Sequence, residues 1–169
     1  KLSLKYLYSV VAEAPIDVEV YEFDEHDHEG FIYREIMRGE YNIVYFHVNM
    51  MNERKIITVC EMLKKAMPTS IVMLGGMQVS FETRVFMEAH PEVDYVLRGE
   101  PETVMFNFLR SVITYEFDFE NIAGLAYREN GGIIINPYDA PVSFEALPFP
   151  YEMTQIEDGD VIYYESFRG

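Results

Sequence analysis

A chain of 169 residues that is 49% hydrophobic and 15% aromatic can bury a core of its own, which excludes disorder as its default state. Thirteen basic against 29 acidic residues give a formal charge of -16, so nucleic-acid backbones and anionic membranes would be repelled. Cys60 is the only cysteine, which excludes an internal disulfide and any multi-cysteine metal or iron-sulfur site within the sequence.

Residues 2–14 place Leu4, Leu7, Tyr8 and Val11 on one helical stripe that Pro15 ends. Residues 17–23, DVEVYEF, have the β-branched and aromatic content of a strand, and an acidic turn with Gly30 follows. A short helix carries Ile32 and Ile36 and stops at Gly39. NIVYFHV at 42–48 is apolar almost without interruption, as a strand covered on both faces is. Helix 53–67 puts Ile56, Val59, Cys60 and Leu63 on one face. Cys60 therefore reads as an inert buried thiol. Strand 70–76, a helix near 80–89 and strand 93–99 repeat the alternation, and a last helix opens at Pro101.

Strands alternating with helices predict an α/β fold, a flavodoxin-like (Rossmann-like) doubly wound parallel sheet. Beyond residue 115 the rhythm changes. Asn130-Gly131 between IAGLAYRE and GGIIIN signals a β-hairpin, PYDAPVSFEALPFP at 137–150 reads as an extended linker, and DVIYYES is one more strand-like run. The expected organisation is an α/β domain over 1–114, a hairpin over 115–136, and a linker with a strand over 137–169.

Such a sheet begins with a strand that lies inside it, whereas this sequence begins with the helix that should follow that strand. The expectation is that the native protein supplies the strand. In the chain as it stands, residues 161–166 or a second copy, by homodimerisation or strand exchange, would fill the slot. Five paired strands formed only from residues 17–113 would refute this.

Ligands of open parallel sheets bind at the carboxyl ends of the strands, which directs attention to three corners. These are His47 with Asn49-Met50-Met51-Asn52, then Gly75-Gly76-Met77-Gln78, then Arg98-Gly99-Glu100. Glycines at strand ends let a ligand approach bare backbone, or simply allow the chain to turn. Arg98 and Glu100 read equally well as a charge pair bracing the last corner. Thirteen tyrosines and ten methionines fall mostly on expected core faces.

Taken in order, these pieces resemble a known family. GGMQVSFETRVFMEAHPEVDYVLRGEPETVMFNFL is similar to the "GGP, spacer, PEVDYVVRGEGE, helix" run in the cobalamin-binding domains of cobalamin-dependent radical S-adenosylmethionine proteins. ENIAGLAYRENGGIIINP and FEALPFPY look like that family's hairpin and "dLdeLPfPy" linker, and VIYYESFRG resembles the "YYESSRG" that precedes its CxxxCxxC cluster motif. The resemblance implies cobalamin as cofactor, held by His47, Asn49, Met50, Gly75, Gly76, Met77, Gln78, Gly99 and Glu100. Its nucleotide tail would lie between sheet and helices. A 4Fe-4S cluster and S-adenosylmethionine would sit in the chain's own C-terminal radical SAM domain, expected to follow these residues, so this part alone would be catalytically silent. A cytoplasmic location is expected. The family's D-x-H-x-x-G loop, source of a lower cobalt ligand, has no counterpart; DEHDHEG at 24–30 misses its spacing by one residue and reads as a solvated turn. Gly-Gly-Met-Gln for Gly-Gly-Pro, and Phe167 for serine, are further departures. The alternative is a degenerate, cofactor-free docking or substrate-gating module.

Overall fold

Residues 2–12, 14–138, 147–151 and 162–163 are described by a computed structural model. Chain order runs α1 (Leu2–Val11), α2 (Glu29–Ile36), β1 (Ile43–His47), α3 (Glu53–Ala66), β2 (Ile71–Gly75), α4 (Met77–Ser80), α5 (Thr83–Ala89), β3 (Tyr95–Leu97), α6 (Pro101–Ile113), β4 (Leu125–Glu129) and β5 (Gly132–Ile135). The sheet has the order β1-β2-β3-β4-β5. Its first three strands are parallel, and β4 and β5 join antiparallel.

Each face of the sheet carries its own core. On one face Ile32 and Ile36 of α2, Ile56, Val59, Cys60 and Leu63 of α3, and Met87 of α5 pack on Val44, Phe46, Val72, Leu74 and Val96. On the other, Leu7 and Val11 of α1 and Val104, Met105, Phe108 and Leu109 of α6 cover Met73, Leu97, Leu125 and Tyr127. This is the two-faced covering that the unbroken apolar strands required.

The hairpin continues the sheet. Asn130 and Gly131 turn with φ of 49° and 78°, the paired positive φ values of a tight hairpin turn. Arg128 of β4 donates from Nε to the Val93 carbonyl at 2.9 Å and from Nη2 to the carbonyls of Met87 and His90. One guanidinium thus satisfies the end of α5 and the entry to β3 together.

Three expectations change. The helix expected near 80–89 is two short ones. Ser80 Oγ donates to the Gly76 carbonyl and Thr83 Oγ1 to the Val79 carbonyl, each at 2.8 Å, and such back-bonding to i-4 competes with a continuous helix. Residues 17–23 are not a strand, because a ladder needs a partner and none of the described residues supplies one. Residues 17–113 supply three parallel strands where the sequence offers four, so the five that would refute a missing inner strand are not formed from them, and the hairpin raises the sheet to five. Most of 137–150 and of 160–166 lies outside the described residues; Ile162 and Tyr163 are exposed and unpaired with the sheet. No helix among the described residues is long and apolar enough to cross a membrane.

Phe108 is fully buried, with ring centroids 4.9 Å from Tyr95 and 5.2 Å from Phe119. Phe108→Ala should lower unfolding free energy by about 3–5 kcal/mol, read from urea denaturation. Burial in the α3 core pushes the Cys60 thiol well above its usual range. The native protein should not react with a thiol reagent such as dithionitrobenzoate, and one thiol should appear on unfolding.

Candidate functional site at the carboxyl rim of the sheet

Parallel pairing sets His47 of β1 opposite Gly75 of β2, and Gly75 opposite Leu97 of β3. The three corners that follow those residues therefore share one rim. All nine residues expected to hold a cofactor lie on it, and the geometry divides them by role.

The first corner is a closed hydrogen-bonded turn. Asn49 Oδ1 accepts the N–H groups of Met51 (2.8 Å) and Asn52 (3.2 Å), while Asn52 Oδ1 accepts that of Asn49 at 2.8 Å. Asn52 Nδ2 donates to the carbonyl of half-buried His47 at 3.0 Å. This mutual capping occupies the N–H and Oδ1 of Asn49 and leaves Met50 and Met51 exposed.

In the second corner both glycines meet neighbouring chain. A Cβ on Gly75 would collide with the Tyr45 hydroxyl, and one on Gly76, whose φ is 113°, would collide with the Val48 carbonyl. Strand packing, not open space for a ligand, makes glycine necessary at these two positions. The Tyr45 hydroxyl above Gly75 is buried without a hydrogen-bond partner. Burial raises its pKa, and the carboxylate of Glu102 adds to the shift. Met77 and Gln78 are exposed.

The third corner opens a cavity of about 330 Å³ lined by Met77, Ser80, Phe81, Arg98, Gly99 and Tyr138. Gly99, with φ of 73°, donates its N–H to Ser80 Oγ at 3.2 Å. Tyr138 donates from its hydroxyl to the Ser80 carbonyl at 2.9 Å and lays its ring 4.2 Å from the Arg98 guanidinium. Arg98 Nη1 donates to the Asn136 carbonyl at 2.9 Å, while its Nε is buried without a hydrogen-bond partner. Glu100 is the residue before α6. Met77 and Phe81 at the cavity, and Met50 and Met51 at the first corner of the same rim, are 75–82% exposed. An apolar, polarisable patch on a glycine-turned rim favours a flat, largely apolar ligand or another protein surface. The cavity adds a cation and a hydroxyl for one polar end.

Ser80, Phe81 and Tyr138 were not legible as site residues. Tyr138 lies 58 residues from the carbonyl it binds, and nothing local in the sequence joins them. Arg98 was visible only as a possible brace. Among the described residues no cluster of three or more His, Cys, Asp or Glu could hold a metal ion.

No family model matches the chain. An uncharacterized methyltransferase of Pyrococcus horikoshii is 31% identical over 100 residues, covering 54% of this chain and 22% of the relative. A cobalamin-dependent radical SAM methyltransferase, TokK of Streptomyces tokunonensis, is 27% identical over 86 residues, covering 51% of this chain and 13% of the relative. Among solved structures, the cobalamin-dependent S-adenosylmethionine radical enzyme OxsB, with aqua-cobalamin and S-adenosylmethionine bound, superimposes with a TM-score of 0.71 at 18% identity, over 83% of this chain and 20% of that one. The radical S-adenosylmethionine methyltransferase TsrM of Kitasatospora setae, with cobalamin and a [4Fe-4S] cluster bound, gives 0.61 at 17% identity, over 86% and 28%. The chain spans between 13% and 28% of the length of these proteins, and it shares the α/β fold of the matching portions of the two solved structures.

Proposed function

We propose that this chain is a cobalamin-binding domain of a larger radical SAM enzyme and that the methionine- and phenylalanine-edged rim is where the corrinoid rests. The observation that carries the reading is the cavity between Met77, Phe81 and Gly99. Arg98 lines it with its guanidinium fixed by the Asn136 carbonyl and the Tyr138 ring, so a cation is held at the cavity wall without further ordering. Met50, Met77 and Phe81 would contact the apolar ring face, and Arg98 with the Ser80–Gly99 corner would take a polar side arm. When bound, cobalamin supplies a cobalt centre for methyl transfer or radical chemistry. This chain's own residues bind and orient it and exclude water, and the 4Fe-4S cluster and S-adenosylmethionine belong to the C-terminal radical SAM domain proposed as its partner. Support comes from relatives named for cobalamin and for radical S-adenosylmethionine chemistry.

A second reading has its own observation. The Tyr45 phenol fills the space over Gly75, and Tyr138 stands 3.1 Å from where a Cβ of Gly99 would lie. A rim furnished by its own side chains suits a cofactor-free docking or gating module.

Gel filtration after mixing with hydroxocobalamin separates the two. Co-elution of the visible corrinoid spectrum with protein is expected, and Met77→Asp, at a position 75% exposed, should weaken binding at least ~10-fold with little loss of stability. Colourless protein at high ligand excess would overturn the cofactor reading in favour of docking.

A further inference from the structure

The proline-rich linker that begins at Pro137 is fastened at both ends by the same chemistry. At its start Tyr138 lays its ring 4.2 Å from the Arg98 guanidinium and donates its hydroxyl to the Ser80 carbonyl. Directly after its end Tyr151 lays its ring 5.2 Å from Nζ of Lys5 in α1, within cation–π range. The Tyr151 hydroxyl donates to the Tyr163 carbonyl at 2.7 Å and accepts the Tyr163 N–H at 3.0 Å. Pro150 and Tyr151 are buried, whereas connecting segments normally run exposed over a surface.

The surface that meets Tyr151 is a second side of α1. Leu7 and Val11, four apart, form the stripe that joins the core shared with α6 and the sheet. Lys5 and Ser9 form another four-apart stripe with Tyr6 beside it, roughly 100° or more round the helix from the first. A helix resting on one core leaves that side to solvent. Tyr6 and Ser9 are nonetheless 3% and 4% exposed, and Tyr6 joins neither core of the sheet. α1 is therefore covered on two sides, and Lys5 brings Tyr151 to the second.

That contact lies toward the carboxyl rim. α6 starts there, after β3. The carboxyl ends of α1 and α6 meet around one hollow lined by Val10, Val11 and Ala14 with Ile113 and Thr114, so the two helices run parallel. Lys5 belongs to the half of α1 nearer the rim, and Tyr138 lines the rim cavity itself.

We propose that the outer side of α1 is a docking surface for this chain's own residues 147–151 and 162–163, and that Tyr151 is the positioning residue that holds Ile162 and Tyr163 beside the carboxyl rim. Lys5 seats the ring. The hydroxyl then takes both backbone groups of Tyr163, as an antiparallel strand partner would, which fixes that residue's orientation as well as its place. Ile162 and Tyr163 are 54% and 64% exposed, so among the described residues this hydroxyl, and not burial, secures them. One consequence rests on the function proposed above: a domain following Tyr163 would start beside the rim where the corrinoid rests.

The test uses the 169-residue chain and needs no corrinoid, so its outcome is separate from that of the cofactor reading. Tyr151→Phe removes the hydroxyl and keeps the ring on Lys5. Hydrogen exchange resolved by residue should show the Tyr163 N–H exchanging roughly 10-fold faster in Tyr151→Phe, with Val72 of β2 unchanged. Spin labels on Gln78→Cys at the rim and Ile162→Cys, both exposed positions, leave buried Cys60 untouched. Their distance distribution should be about twofold wider when Tyr151 is Phe. Equal exchange at Tyr163, or equal widths, in the two proteins overturns the proposal. Acceleration shared equally by Val72 marks a general loss of stability and overturns the local role. Protection of Tyr163 that rises with protein concentration assigns the α1 surface to a second copy and overturns it as well.

Discussion

The in-register parallel alignment of His47, Gly75 and Leu97 is the constraint on which the rest depends. Parallel ladders can be joined only by crossovers, so β1, β2 and β3 end on the same rim and α3, α4 and α6 start there. That geometry brings Met50, Met77 and Gly99 into one neighbourhood although they span fifty positions of sequence. Sheet burial on both faces then fixes the alignment. Sliding β1 by one residue would exchange Val44 and Phe46 with Ile43 and Tyr45 between two different cores. The position of the rim follows from the packing of the interior.

Much of this was legible because it is local. Ile56, Val59, Cys60 and Leu63 announce the buried face of α3, Pro101 the first turn of α6, and Asn130-Gly131 the hairpin, each through a periodicity or a backbone preference that needs no distant partner. Residues 17–23 show the limit. DVEVYEF has every intrinsic mark of a strand, yet a ladder is a property of two segments, and one segment's sequence does not reveal whether the other is in place. The hairpin's attachment to β3 depended likewise on Arg128 reaching Val93, Met87 and His90, contacts that no pattern within the hairpin encodes.

The glycines illustrate a related limit at the site. From sequence, Gly75 and Gly76 read equally as room for a ligand or as room for the chain, and the structure gives both to the chain, through Tyr45 and Val48. Sequence could flag that a Cβ was forbidden without saying which atom forbade it. The informative polar group, Arg98, was ambiguous for the same reason. Its stacking on Tyr138 and its bond to Asn136 come from a segment nearly forty residues later.

Charge sharpens what the rim can take. In a chain carrying a formal charge of -16, the half-buried guanidinium of Arg98 beside an apolar mouth does not make an anion site at long range, because the surrounding field opposes approach. At contact distance the balance reverses. Water is excluded at Arg98 Nε, and a hydrogen bond to a cationic donor is worth roughly 1.5–3 kcal/mol. On the proposed reading, a ligand of this rim would be selected by shape and apolar area first and by one short polar contact second. A neutral, amide-bearing planar ligand meets both requirements, whereas a free nucleotide or phosphate meets only the second.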